Sequence, residues 1–212
     1  MEGFRTTTAA AAGGLLVIAL LAGCSGGSGG SEPPSSPSAS ASTSSAAAYP
    51  STNAEVTLTD PGTDLSYGQP ASIAWQAGAD TVGTLRISVD SVEQTTFAKS
   101  FKDWKVDDTT KTYTPYFVHA YVTNLGDTDL SELPVPLYGE SSADALVEPS
   151  TFATTFKPCH PGKLPAGFTA GAATSVCLVY LVPPGGQLAG VVFRPTEDFI
   201  PITWTGAVRT LG

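Results

Sequence analysis

The stretch TPYFVHAYVTN, residues 114–124, alternates between two sets of side chains and decides the fold class. Successive side chains of a β-strand point to opposite faces of the sheet, so each set lies on one face. We predict that the inward set is Tyr116, Val118, Ala120 and Val122 and that the outward set is Phe117, His119, Tyr121 and Thr123. A long apolar strand cannot stand alone in water, so it must pair with neighbours and pack on a second sheet.

The same period-2 pattern recurs on both sides of this stretch, bounded by Gly, Pro, Asn and Asp, and no helical stripe follows residue 52. In residues 84–93 the predicted buried face is Leu85, Ile87, Val89 and Ser91. Further strands are predicted at residues 55–59, 71–75, 133–138, 145–148, 175–182, 188–193 and 202–205. Eight or nine short strands predict an all-β, immunoglobulin-like two-sheet β-sandwich, with a closed barrel as the alternative.

Leu21-Ala22-Gly23-Cys24 is a lipobox that follows an uncharged apolar run from Ala9 to Ala22. The run has the features of an export signal and is too short for a bilayer span, which needs roughly 20 apolar residues. Residues 1–23 are therefore predicted to be a lipoprotein signal peptide and Cys24 the lipidated first residue of the mature chain. The alternative is an ordinary signal peptide with a chance cysteine.

Residues 24–51 consist almost entirely of Ser, Gly, Ala, Pro and Thr, with Glu32 as the one charged residue. Such a composition cannot bury enough apolar surface to offset the entropy of ordering, which predicts a disordered linker. Residues 52–212 then form one domain. We expect the protein to be anchored by lipid to the extracytoplasmic face of the cell membrane, with the domain held outside.

The charge balance excludes some classes of partner. Removing Glu2, Glu32 and Arg5 from the totals of 19 acidic and 10 basic residues leaves 17 and 9 in the predicted domain. Nucleic acids and anionic lipid surfaces are bound by clusters of Lys and Arg, so neither is expected as a partner of this domain. An acidic surface is typical of a soluble extracellular domain.

Cys159 and Cys177 are the two cysteines that remain once Cys24 carries lipid. An even pair in an exported domain predicts a disulfide, because oxidising compartments let such bonds persist. A zinc site that includes the adjacent His160 is the competing interpretation. Structural zinc sites use closely spaced ligand pairs, which this sequence lacks.

The long strand and the cysteine pair also carry a resemblance. The chain resembles uncharacterised actinobacterial lipoproteins, which are similar to secreted domains with a telokin-like, immunoglobulin-related β-sandwich. The segments that carry the resemblance are residues 114–131, 156–159, 177–183 and 202–204. It implies the sandwich fold but no activity, since the class has no established catalytic residues and fold does not fix function.

His119 and His160 are the only histidines, and neither lies in a recognisable catalytic motif. His119 is predicted to be a side chain on the sheet surface and His160 a polar loop residue. The acidic pairs Asp127/Asp129 and Asp107/Asp108 lack the spacing of a calcium loop, and turn chemistry accounts for the first pair. We therefore predict no metal, no cofactor and no catalytic residue.

Trp75 and Trp204 lie in alternating strands and are predicted to be core residues, whereas Trp104 lies in a polar loop and is the candidate for an exposed contact. Its alternative role is a lid over one end of the sandwich. The leading hypothesis is a non-catalytic binding or structural module that contacts an unidentified envelope or extracellular protein. A metal-assisted hydrolase using His160, and capture of a small apolar ligand between the sheets, are the alternatives.

Overall fold

The computed structural model describes residues 48–159 and 163–212. These ranges contain ten β-strands, one short α-helix and one 3₁₀ turn, joined by loops. The helix α1 spans Phe97–Ser100 and the 3₁₀ turn Thr110–Thr112. The strands are β1 (Asp64–Ser66), β2 (Pro70–Gly78), β3 (Thr81–Gln94), β4 (Thr114–Asn124), β5 (Tyr138–Ser141), β6 (Leu146–Val147), β7 (Ala173–Val182), β8 (Leu188–Phe193), β9 (Ile202–Thr205) and β10 (Val208–Thr210).

The strands form two five-stranded sheets. One sheet has the order β1-β9-β8-β5-β6. In the other, β3 pairs on one side with β4, which pairs in turn with β7, and on its other side with β2 and β10. One buried apolar cluster draws on both sheets, from Ile87 of β3 and Tyr180 of β7 to Val191 of β8 and Trp204 of β9. The chain is an all-β two-sheet sandwich, as predicted.

Strand β4 has the bounds that the sequence predicts, and its inward set is buried: Tyr116, Val118, Ala120 and Val122. Asn124 ends the strand in a turn. Its side-chain carbonyl accepts a hydrogen bond from the Gly126 amide at 3.0 Å, and its amide donates to the Phe168 carbonyl at 3.0 Å. One member of the outward set departs from the prediction, because Phe117 is only 3 % exposed and lies in a second apolar cluster described below.

Strand β3 carries a β-bulge that its sequence pattern does not predict. Its pairing with β4 shifts between Val89 and Ser91, so that one extra residue is accommodated. After the shift, the residues that face the core are the even-numbered ones and no longer the odd-numbered ones. Val92 is therefore fully buried and Ser91 only partly, whereas the prediction had placed Ser91 on the buried face.

Two predicted strands are wrong or displaced. Residues 55–59 form no strand, although the Thr59 amide donates to the Ser72 carbonyl of β2 at 2.8 Å. The strand predicted at 133–138 begins only at Tyr138, because Pro134 and Pro136 lack the amide hydrogens that a ladder needs. Strands β1 and β10 were not predicted, and both are three-residue strands that pair in parallel with distant segments.

Packing extends back to Tyr49, whose ring centroid lies 5.1 Å from that of Phe199 and whose hydroxyl donates to the Thr59 carbonyl at 2.7 Å. The predicted signal peptide, the lipid site Cys24 and all of the predicted linker before Ala48 lie outside the described residues. Within the described ranges, no helix is long and apolar enough to cross a membrane.

The free energy of unfolding is expected to fall as the pH rises above about 10. Burial raises the pKa of Tyr180, Tyr49 and Tyr67 above the ordinary value of 10.0, with Asp60 adding to the effect at Tyr49. The unfolded chain then releases phenolic protons that the folded chain retains, so each further pH unit destabilises the fold. Below pH about 10 both states keep these protons, and the contribution is fully present.

Urea unfolding at a series of pH values from 8 to 11.5 measures this slope. Tyr180→Phe should flatten it by up to about 1.4 kcal/mol per pH unit, because it removes the most deeply buried of the three phenols. The matched control is Tyr121→Phe, since the Tyr121 side chain is exposed on β4. Equal slopes for the wild type and Tyr180→Phe would contradict the prediction.

Candidate functional site

A partly open groove of about 690 Å³ lies among the described residues. Its volume lies within the range of small-molecule sites, roughly 300–1,000 Å³. Leu178 of β7 and Trp75 of β2 contribute apolar surface. The two other main contributors are residues 134–138, which we name the first wall, and residues 148–152, which we name the second wall.

Trp75 reaches the groove because its partner on β3 is a glycine. Trp75 lies opposite Gly83 in the β2–β3 pairing, and a Cβ atom at Gly83 would overlap the six-membered ring of the indole. The missing side chain therefore makes room for the indole to lie flat across the neighbouring strand. Trp75 is 8 % exposed, which agrees with its prediction as a core residue while still leaving it at the surface of the groove.

The first wall is rich in proline and is fixed to the body of the sandwich. The buried Tyr180 hydroxyl donates to the Leu137 carbonyl at 3.0 Å, and the Leu164 amide donates to the Leu133 carbonyl at 2.9 Å. Pro134 also forms an isolated β-bridge with Lys163. These bonds hold the wall from both sides. Val135 and Leu137 are buried in the main core, so the wall is part of the packed interior.

The second wall lies beside β7 and is attached differently. The Ser150 amide donates to the Val179 carbonyl at 2.7 Å. Phe152 stacks on Phe156 with ring centroids 4.6 Å apart and planes 6° from parallel. The wall is thus joined to the sheet by a backbone bond at Ser150 and by aromatic packing at Phe152.

Phe156 belongs to a second buried cluster on the outer face of β4 and β7, opposite the main core. We name it the outer cluster; its buried members are Phe101, Phe117, Phe156, Cys159, Cys177 and Val179. Cys159 and Cys177 form a disulfide with Cα atoms 5.3 Å apart, which confirms the predicted pairing. The bond joins the segment that carries Phe156 to the centre of β7.

Trp104, the predicted exposed contact, is partly buried against this cluster. Its ring meets Phe152 edge to face at 5.1 Å between centroids and Phe156 at 5.6 Å. The structure thus packs Trp104 on aromatic side chains at the outer face of the sheet, and neither of its predicted roles is tested by these contacts. It does not line the groove, but it touches Phe152, which does.

The two histidines fall in different places. His119 lies on the outer face with 39 % of its side chain exposed, and its Nε2 atom is 3.5 Å from a Glu93 carboxylate oxygen. The other oxygen of Glu93 pairs with Arg209 at 2.8 Å. His160, on which the hydrolase alternative depends, lies outside the described residues.

One member of each acidic pair, Asp129 and Asp107, is held by turn contacts. Asp129 accepts hydrogen bonds from the hydroxyl and the amide of Ser131, which lower the pKa of its carboxyl. Asp107 accepts from the Thr110 amide at 2.9 Å and from its hydroxyl at 2.7 Å, and these bonds lower the pKa of Asp107. In residues 48–159 and 163–212, no group of three or more His, Cys, Asp and Glu side chains could hold a metal ion.

The charges at the groove are one of each sign, from the exposed side chains of Glu148 and Lys163. Thr151 adds a hydroxyl at the rim. Most of the remaining lining is proline, aromatic or aliphatic. The groove can therefore hold an apolar body and meet polar groups at its mouth.

These features define the chain as an all-β two-sheet sandwich with an outer aromatic cluster and a partly open groove. Comparison of the chain with protein-family models, with curated proteins and with solved structures finds no match.

Proposed function

We propose that this protein is a lipid-anchored, non-catalytic binding module of the cell envelope, attached through Cys24, and that it captures a small ligand in the groove. The groove is the observation that carries the proposal. It combines a volume of about 690 Å³ with apolar surface from Trp75, Leu178 and Phe152. A ligand of this site would have a mainly apolar body and a polar end.

The residues at the rim of the groove support the proposal that the ligand has a polar end. Glu148, Thr151 and Lys163 provide a carboxylate, a hydroxyl and an ammonium group around an otherwise apolar concavity. Binding sites of this kind orient an apolar ligand with a few polar groups. The lipobox supports the location, since a lipid on Cys24 would attach the protein to the membrane, where amphipathic molecules are concentrated.

Photocrosslinking in living cells tests the proposal. The full chain would carry a photoreactive phenylalanine derivative in place of Thr151 at the groove rim or, as the matched control, in place of the exposed Thr210 on β10. The expected result is a discrete mass adduct of small-molecule size at position 151 and none at position 210. Identical adducts at both positions, or no adduct at position 151 in folded protein, would overturn it.

Cys24→Ser is expected to abolish attachment of fatty acyl chains. The Cys24 sulfur is the atom that would carry the lipid. Each acyl methylene buried in a membrane contributes about 0.8 kcal/mol to the free energy of membrane binding. Metabolic labelling with an alkynyl fatty acid checks the result: wild type should be labelled and the variant unlabelled. The double variant Cys159→Ser/Cys177→Ser controls for loss of other cysteines and should keep its label. A labelled Cys24→Ser chain would show that the lipid site is wrong.

A further inference from the structure

The two walls of the groove are attached to the sandwich in different ways. This difference indicates which contacts set the width of the groove. The first wall is held by the buried Tyr180–Leu137 hydrogen bond and by its own core residues. The second wall has exposed residues at Glu148 and Thr151 and is bonded to β7 through the Ser150 amide. Segments with few buried contacts open at lower free energy than the packed core. Of the two walls, the second therefore has the lower expected free energy of opening.

Apart from the Ser150 hydrogen bond, the second wall is held by aromatic packing on the outer face of β7, away from the groove. Phe152 stacks on the fully buried Phe156, and Trp104 packs its edge on both rings. Phe156 in turn lies 4.7 Å from Phe101 between ring centroids. The disulfide of Cys159 follows Phe156 by three residues. A continuous chain of contacts therefore runs from the wall through Phe152 to the outer cluster.

We propose that Trp104 and the outer cluster form a brace that holds the second wall against β7 and so sets the opening of the groove. Trp104 is then a positioning residue for binding, acting through Phe152 without touching the ligand. The importance of the brace for ligand capture rests on the proposed function. The brace itself can be tested without any ligand.

The geometry offers a matched pair of variants. Trp104 touches Phe152, whereas Phe97 is partly buried against the same cluster and its ring centroid lies 4.8 Å from that of Phe101. Trp104→Ala removes the contact with the wall. Phe97→Ala removes an aromatic side chain of the cluster at a different place. Trp104→Phe keeps an aromatic ring at the critical position and serves as the conservative variant.

Amide hydrogen exchange of the full chain gives the first measurement. An aromatic pair contributes about 0.5–1.5 kcal/mol beyond area burial, so Trp104→Ala should speed exchange at Ser150 by about two- to tenfold. Exchange at Leu164, whose amide is bonded beside the first wall, should stay unchanged. Phe97→Ala should leave Ser150 near its wild-type rate, and Trp104→Phe should restore most of the protection.

The second measurement reports on the groove itself. Labelling with 5-fluorotryptophan gives signals from Trp75, Trp104 and Trp204, and Trp75 lines the groove. Trp104→Ala should shift or broaden the Trp75 fluorine signal, and Phe97→Ala should not. Equal acceleration at Ser150 and Leu164, or an unchanged Trp75 signal with unchanged Ser150 exchange, would overturn the brace. Failure of the crosslinking at position 151 would instead overturn the proposed function and leave these results intact.

Discussion

Replacement of Trp204 by alanine is expected to lower the free energy of unfolding by about 3–5 kcal/mol. Trp204 is fully buried on β9, where it lies opposite Val191 of β8 and Leu65 of β1. Its indole nitrogen donates to the Gln69 carbonyl at 2.8 Å. The alanine variant loses the packing of the whole ring and leaves a carbonyl without its partner, and both effects act in the same direction.

Urea unfolding followed by far-UV circular dichroism measures this loss. Trp204→Phe separates the two effects, because it retains much of the ring volume while losing the hydrogen bond, and it should cost less than the alanine variant. Trp104→Ala is the control for removal of a partly exposed tryptophan and should also cost less. A Trp204→Ala chain within about 1 kcal/mol of wild type would show that the centre of this sheet is not closely packed.

Apolar runs that end at turn signals predicted the bounds of three strands. Strands β4, β8 and β9 begin and end where the sequence predicts, although β8 is buried at five of its six positions and hardly alternates. The alternation pattern predicts the wrong buried residues where a bulge changes which residues of a strand face the core. The bulge in β3 moves Val92 inward in place of Ser91, and the choice of partner residues that creates a bulge depends on the neighbouring strand. A short strand such as β1 leaves too few residues for a period to be recognised.

The candidate site was harder to predict than the fold. The groove is built from Trp75, the proline-rich first wall and residues 148–152, which are distant in sequence and carry no shared motif. In the strand predicted at residues 133–138, Val135 and Leu137 alternate with prolines. Those same prolines were the available signal that the segment cannot join a ladder and instead borders an opening.

The burial of Phe117 is a second feature that the sequence does not predict. Its position in β4 correctly puts it on the face opposite Val118, and the sequence alone gives that face to solvent. The structure covers it with Phe101 and Phe156, which come from loops on either side of β4 in sequence. Two cores, one between the sheets and one outside them, explain why this strand is apolar on both faces over part of its length.

Removal of the disulfide by Cys159→Ala/Cys177→Ala is expected to destabilise the fold by roughly 3 kcal/mol. The two cysteines are 18 positions apart, so the bond restricts a loop of moderate length in the unfolded chain. Residues 152–159 contain no regular strand, and their burial at Phe156 depends on the loop being held near β7. Loss of the bond raises the conformational entropy of the unfolded chain, so folding becomes less favourable. It also leaves the outer cluster held by packing alone.

The expected fall in melting temperature is about 6–12 °C, taking about 2–4 °C per kcal/mol for a domain of this size. Alanine variants avoid the free thiols that reduction would create, and wild type treated with reductant in urea provides an independent comparison. The loss should also appear as faster native-state exchange of the buried β8 and β9 amides, because these strands share the main core and their amides exchange through global unfolding. An unchanged midpoint in the double variant would contradict the prediction. It would mean that aromatic packing around Phe156 suffices to hold the outer cluster, and that the bond has no thermodynamic role in the fold.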